Sequence, residues 1–299
     1  MTSSRRNFKI AAIIVTYEPC EHNLKYLLNV VSPQVDNIIV VDNSINQNKD
    51  FLKDLVEGYN GGVFLANDCN YGIAKALNQG FQIASLRDID WVLTFDQDSE
   101  PYAGIVDILF DVYDNFLGKE KIGIIGVNYK HKASNSLFQI QGFGIYKHKE
   151  TLITSGSMVK MKAFNAVRGF REDMFIDHVD EEFCLRLKKN GWVSLISEKV
   201  GMIHEAGTMK SKKILGIKFY SNNHTEFRRF YMSRNQILMM REYFLLFPFF
   251  ITKSTICFIH EIISMMLIDT RRISKLRFVL KGVLKGLFYS HRNKKYFDK

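Results

Sequence analysis

Four short apolar runs, each separated from the next by a segment of helical periodicity, constrain the fold of this chain more than any other feature. They are Ile10 to Thr16 (IAAIIVT), Asn37 to Val41 (NIIVV), Gly62 to Ala66 (GVFLA) and Trp91 to Phe95 (WVLTF). Each is continuous and rich in β-branched or aromatic residues, without apolar/polar alternation, as strands covered on both faces are. Between them the clearest helix is Gly72 to Ala84, where Ile73, Ala76, Leu77, Gly80, Phe81 and Ala84 repeat on one face. Strands alternating with helices predict an α/β fold with a mostly parallel sheet flanked by helices.

Ligands of such sheets bind beyond the carboxyl ends of the strands. Three of the runs end there in polar residues, Thr16-Tyr17-Glu18, Asp42-Asn43-Ser44 and Asp96-Gln97-Asp98, so one site drawing on all three is expected. Further along, Thr151 to Val159 reads as a strand. Asp180 to Asn190 reads as an amphipathic helix through Phe183, Cys184 and Leu187, stopped by Gly191. Residues 1–215 are expected to form one catalytic domain and residues 216–299 a helical, basic region.

Length and composition fit this reading. A chain of 299 residues, 46% hydrophobic and 24% charged, is long enough for a large α/β domain with an appendage, and its composition excludes a disordered polymer. Four cysteines without a CxxC pair suggest neither a zinc knuckle nor a disulfide framework, and point to a reducing compartment. Met1 to Lys9 lacks the apolar core of a signal peptide, so a cytoplasmic location is expected.

The net charge is +10, and Arg271 to Lys299 holds ten Lys/Arg against the single acid Asp298. The charge is therefore a basic tail. A nucleic-acid-binding protein is the competing reading of pI ≈ 9.3, but confinement of charge to one end and the lack of a recognised motif speak against it. The apolar run Tyr243 to Thr252 is followed by Lys253 and then His260-Glu261, before the ~20 residues a spanning helix needs, which favours an interfacial segment. Arg271 to Lys285 mixes Lys/Arg with Ile273, Leu276, Phe278, Val279, Leu280, Val283 and Leu284, as a helix lying on an anionic membrane would.

The residues able to do chemistry fall in the same places. Asp96 and Asp98 offer hard oxygen ligands for Mg²⁺ or Mn²⁺ bridging a diphosphate; an aspartate pair after a strand also caps turns. Asp42 is placed to accept a hydrogen bond from a base or ribose, or to form an Asx turn through Asp42-Asn43-Ser44. In the Asn70 to Gly80 segment, Asn70 and Gly72 shape the loop entering a helix, while Ala74, Asn78 and Gly80 permit close packing near a ligand. Asp177, His178, Asp180, Glu181 and Glu182 precede or open the next helix. There they complement the helix dipole, with Asp180 as a possible N-cap, or supply a general base. His204 offers a third metal ligand or a phosphate contact, or is simply hydrogen-bonded in the fold.

IIVTYEP (Ile13 to Pro19), VVDNS (Val40 to Ser44), NYGIAKALNQG (Asn70 to Gly80), WVLTFDQDS (Trp91 to Ser99), FIDHVDEEFCLRLKKNGW (Phe175 to Trp192) and YMSRN (Tyr231 to Asn235) together resemble glycosyltransferase family two, within it the bacterial rhamnosyltransferase branch. The resemblance implies a GT-A fold, with Asp42 on the nucleotide, Asp96 and Asp98 serving a metal diphosphate, and Asp180 as catalytic base. Val179 stands where the family commonly has glutamate, which leaves Asp177 as a contributor. The substrate-binding set implied is Thr16, Tyr17, Glu18, Asp42, Asn70, Gly72, Ala74, Asn78, Asp96, Gln97, Asp177 and Arg234. FDQDS resembles the rhamnosyl branch and implies dTDP-β-L-rhamnose as donor, with UDP-sugars as the alternative. The absence of QxxRW implies addition of one or a few sugars. The expected acceptor is a lipid-linked saccharide at the cytoplasmic membrane face.

Overall fold

Apolar runs and helical spans alternate through the first hundred residues as the periodicity predicts. The computed structural model describes residues 7–45, 48–131, 137, 142, 144–204, 210–214 and 216–290. The first strands and helices are β1 (Ile10–Thr16), α1 (Glu21–Val31), β2 (Asn37–Asp42), α2 (Lys49–Glu57), β3 (Gly62–Ala66), α3 (Ile73–Ser85) and β4 (Trp91–Asp96). β1, β2 and β4 are almost wholly buried, which is why they lack alternation. Then come β5 (Glu100–Pro101), α4 (Ile105–Asn115), β6 (Ile122–His131), β7 (Tyr146–His148), β8 (Ser157–Lys160), α5 (Met161–Ala166), α6 (Val179–Lys189) and β9 (Val193–His204).

Among the described residues these strands form one sheet in the order β3-β2-β1-β4-β8-β6-β9-β5, with β7 also on β9. β3, β2, β1 and β4 run parallel. β8 is antiparallel to both β4 and β6, while β6 and β9 are parallel. The expected strand from Thr151 to Val159 is corrected to Ser157–Lys160. Gly156 interrupts it: its φ of +72° lies outside the pleated region, and its N–H donates to the Thr94 carbonyl at 2.8 Å.

α3 buries Ala74, Ala76, Leu77, Gly80, Phe81 and Ala84, while Ile73, expected on that face, is only partly buried. A Cβ on Gly80 would come within 2.8 Å of Ile13 Cγ2, so glycine sets the helix–sheet distance.

The chain divides into two compact units. The first comprises Met1–Asp173 and Phe183–Glu205, and the second Met174–Glu182 and Ala206–Lys299. The second unit holds the hairpin β10 (Lys210–Ile214) and β11 (Ile217–Ser221), then α7 (Glu226–Tyr243), α8 (Pro248–Ile268) and α9 (Arg272–Leu287). α9 packs against α7 through Gly282 and Gly286, where added Cβ atoms would meet the backbone oxygens of Phe230 at 2.3 Å and Arg234 at 2.8 Å. Lys253 and His260-Glu261 do not end the apolar helix, contrary to expectation. α8 runs unbroken for 21 residues, long and apolar enough by length and composition to cross a membrane. Glu261 is accommodated because Arg229 of α7 meets it at 2.7 Å.

Candidate functional site

In the first unit the parallel register aligns Thr16 with Asp42, and Val15 with Asp96, so the polar ends of β1, β2 and β4 lie side by side. Asp42 is fully buried. Its Oδ1 accepts hydrogen bonds from the hydroxyls of Thr16 and Ser44, both at 2.6 Å, while its Oδ2 has no partner among the described residues. A buried carboxylate oxygen left without a donor is costly, and it is placed to receive an N–H or O–H from a ligand.

Around it the loops are fixed. Gln97 brackets Tyr17, accepting from its backbone N–H at 2.7 Å and donating to its carbonyl at 3.1 Å. The Glu18 N–H donates to Ser44 Oγ at 2.7 Å, and the Glu18 carboxylate accepts from the Ile45 N–H at 3.2 Å. Asn70 Oδ1 accepts the Gly72 N–H at 2.9 Å, and Gly72, with φ of +84°, leads into α3. These residues shape the loop as their spacing predicts. Ala74 is buried in the first turn of α3.

Asn78 is placed differently. Its amide exchanges hydrogen bonds with the Phe170 backbone at 2.8 and 2.9 Å and donates to Glu172 at 3.0 Å, so it ties α3 to the segment after α5.

Asp96 is half-buried and Asp98 exposed. Asp98 borders a shallow pocket of ≈ 260 Å³ with His22, Tyr26 and Glu100. His204, at the end of β9, stands in register with His131 and edge-on to the Tyr129 ring at 5.4 Å. Among the described residues no three His, Cys, Asp or Glu side chains are gathered around a point that could hold a metal. The expected Asp96, Asp98 and His204 set is therefore not assembled as three protein ligands. Two carboxylates one residue apart still suit Mg²⁺, which is commonly held by one or two carboxylates plus substrate phosphate oxygens.

In the second unit, Asp177 and His178 have φ of +63° and +62°, two successive non-glycine residues in the left-handed region. The first of them is held by α7. Arg228 grips the Asp177 carboxylate through Nη2 at 2.8 Å and Nε at 3.1 Å, and the Asn235 amide donates to the carbonyls of Ile176 and Asp177, both at 2.9 Å. Arg234, expected to contact substrate, is buried; its guanidinium donates to Asn235 Oδ1 at 2.8 Å and lies over the Tyr231 ring. It thus supports the residue that holds the loop.

α6 starts at Val179, one residue earlier than expected, so Asp180 lies in its first turn. Burial raises the Asp180 carboxyl to about 7, and the neighbouring Glu181 charge pushes the same way. His178 hydrogen-bonds Glu181 through Nδ1. Burial opposes its charge, but Glu181, Asp177 and Asp180 outweigh that and lift it above the ordinary histidine value. Burial likewise opposes the Glu181 charge, and the His178 hydrogen bond outweighs it, holding that carboxyl below its usual range. Glu182 is wholly buried and accepts the Tyr243 hydroxyl at 2.7 Å.

Arg228, Asn235 and Tyr243 are the contributors that the sequence does not reveal. Their partners lie 51 to 61 residues away, and only the YMSRN segment marks the neighbourhood.

Beside Asp180 is a cavity of ≈ 310 Å³ within this unit, bounded by the loop before α6, by Met232 and Gln236 of α7, and by Ser254, Cys257, Phe258 and Glu261 of α8. A carboxyl titrating near neutrality on a concave wall is suited to proton abstraction.

The solved structure of S. aureus TarS 1-349 superposes with a TM-score of 0.55 at 14% identity, covering 96% of this chain and 74% of that one. The same fragment with UDP gives 0.54. These establish the GT-A fold. The dTDP-rhamnosyl transferase RfbF of Shigella flexneri is 30% identical over 293 residues, 94% of this chain and 95% of that protein. Residues 11–167, more than half of the chain, match the pattern of Glycosyl transferase family 2, and with that relative the match shows that the chain belongs to that family and is a glycosyltransferase.

Proposed function

We propose that this chain transfers L-rhamnose from dTDP-β-L-rhamnose, with inversion, to a hydroxyl of a lipid-linked saccharide at the cytoplasmic face of a membrane. The observation that carries the nucleotide-sugar reading is Asp42, whose buried Oδ2 lacks a donor at the carboxyl end of a parallel strand. A thymine N–H or the deoxyribose 3′-hydroxyl would supply one. Tyr17 and Glu18 border the same end, and Asn70 and Gly72 shape the adjoining loop. The rhamnosyl donor is supported by the relative of 30% identity, which is named for it.

Asp96 and Asp98 would hold a divalent cation with the diphosphate, and such an ion would neutralise charge on the leaving group. Asp180 accepts the proton of the acceptor hydroxyl as that oxygen bonds to the anomeric carbon. The bond from that carbon to the diphosphate breaks, and its electron pair leaves with dTDP. Burial, by lifting Asp180 to about 7, makes it a stronger base than an exposed carboxylate. Asp177, locked by Arg228, fixes the backbone that presents it.

Membrane residence is supported by α9, whose outer face exposes Ile273, Leu280, Leu284 and Leu287 alongside Arg277, Lys281 and Lys285.

The test is a panel of nucleotide sugars with Mg²⁺ or Mn²⁺, read as nucleoside diphosphate released. Release of dTDP from dTDP-rhamnose is expected. Turnover of a UDP-sugar with none of dTDP-rhamnose would overturn the donor assignment.

A further inference from the structure

We propose that the turn joining α7 to α8, together with the last turn of α9, is an apolar wedge that enters the hydrocarbon of an anionic leaflet, and that α8 does not cross that membrane. This deepens the membrane residence proposed for α9 and rests on it.

The wedge is built, not incidental. α7 ends at Tyr243 and α8 begins at Pro248. The turn between them closes on its own backbone, with the N–H groups of Leu246 and Phe247 donating to the Tyr243 carbonyl at 3.1 and 2.8 Å and the Tyr243 and Phe247 rings stacked at 6.2 Å. Phe244, Leu245, Leu246 and Phe249 are left facing outward, Leu245 and Phe249 each 92% exposed. Arg241 fixes what lies beside them. Its Nη1 donates to the carbonyls of Gly286 at 2.6 Å and Tyr289 at 3.2 Å, so the end of α9 stands next to the turn and adds the exposed Leu284, Leu287 and Phe288. Single exposed apolar residues are ordinary, whereas two chain segments gathered into one apolar surface mark an interaction site.

Charge decides what covers it. Neither Tyr243 to His260 nor Thr270 to Leu287 contains an acid, while Lys253, Arg277, Lys281 and Lys285 are exposed. A second copy of this chain would set like charges against each other. An anionic leaflet offers hydrocarbon to the wedge and negative headgroups to its rim.

α8 is held as a wall of the helical unit. Gln236 of α7 accepts from the Ser254 hydroxyl at 2.9 Å and donates to Thr255 at 3.2 Å. Arg229 of α7 meets Glu261 at 2.7 Å and Asp269, just past the end of α8, at 3.4 Å. Crossing a membrane would break these bonds or draw α7, with Arg228, Arg229, Arg234 and Arg241, into hydrocarbon.

The full-length protein is sedimented with phosphatidylcholine/phosphatidylglycerol vesicles. At ~1 M salt, where charges are screened within about 3 Å, a salt-resistant part of the binding is expected to remain. Leu245→Ser combined with Phe249→Ser, two changes at solvent-facing positions, should weaken that part at least tenfold with Tm unchanged. Tryptophan emission of the Leu245→Trp variant should be quenched by lipids brominated in their acyl chains, beyond any quenching of the parent's Trp91 and Trp192. Binding at low salt that vanishes wholly at ~1 M salt would overturn the wedge and leave the electrostatic role of α9 standing; no binding at any salt would remove both. Unaltered binding by the double variant, or no added quenching in Leu245→Trp, would also overturn it. So would a dimer in vesicle-free buffer that the double variant abolishes, since a second copy would then cover the surface. Retention in the vesicle pellet after an alkaline carbonate wash would show that α8 crosses, against the proposal.

Discussion

As the proposed base, Asp180 answers to two opposed requirements, since the burial that would make it a useful base also disfavours its charged form. With its carboxyl at about 7, kcat should climb as pH rises through that value, and a rate profile over pH 5.5 to 8.5 tests this. Asp180→Asn should cost about 10²–10⁴ in kcat with the donor KM little changed. The stability consequence has the reverse sign. The folded value lies above the unfolded 3.8, so the native state binds more protons in between, and this group's contribution falls as pH rises from about 4 to about 7. Asp180→Asn should therefore melt higher than the parent at pH 8, with the difference vanishing near pH 4. Asp42→Asn keeps the oxygen that accepts from Thr16 and Ser44 but replaces the free acceptor with a donor. The donor KM should rise about 10- to 100-fold, as loss of a hydrogen bond to a charged group worth roughly 1.5–3 kcal/mol implies; titration with dTDP-rhamnose measures it. That Asp42 and Asp96 end strands was legible in the sequence because each closes an apolar run. Asn78 and Arg234 were placed by motif alone, and a motif does not say whether a polar side chain turns to a ligand or to backbone. Here Asn78 meets the Phe170 backbone and Arg234 meets Asn235.

At the scale of elements, the parallel half of the sheet could be read because strands buried on both faces leave continuous apolar runs. The antiparallel half was not. β8 has only four residues, and the turn at Gly156 is a matter of one backbone angle. β6 and β9 were missed since their apolar character is broken by glycine and polar residues, Gly123 and Gly126 in β6, and Ser194 and Ser197 in β9; Gly123 leaves room for Leu187 and Trp192, and Gly126 for Leu152 and Ser157. The seam between α7 and α9 was equally hidden, although Gly282 and Gly286 stand four apart, the spacing that lets two helix backbones approach. Gly282→Ala would set a Cβ 2.3 Å from a backbone oxygen that cannot swing aside. Despite alanine's better helix propensity, it should destabilise by about 1–3 kcal/mol, visible as a lower Tm; an unchanged Tm would show that α9 is not seated as described.

For the whole molecule, the cationic and apolar residues exposed on α9 predict co-sedimentation with anionic vesicles that weakens as salt rises. Reversing Arg277, Lys281 and Lys285 to Glu together should reduce vesicle binding by about 10²-fold or more, at roughly 1 kcal/mol for each charge near the surface, and vesicles without anionic lipid provide the control. The course of the chain through its two compact units has a further consequence. The second unit takes Met174–Glu182 from the middle of the sequence and the rest from Ala206 onward. A single cut therefore cannot separate them. A fragment ending near residue 205 keeps the segment bearing Asp180 without the α7 residues that hold its backbone, and the complementary fragment lacks Asp180 altogether. Exchanging the whole second unit with that of a relative would accordingly require transplanting two stretches of gene, a nine-residue insert together with the carboxyl-terminal third.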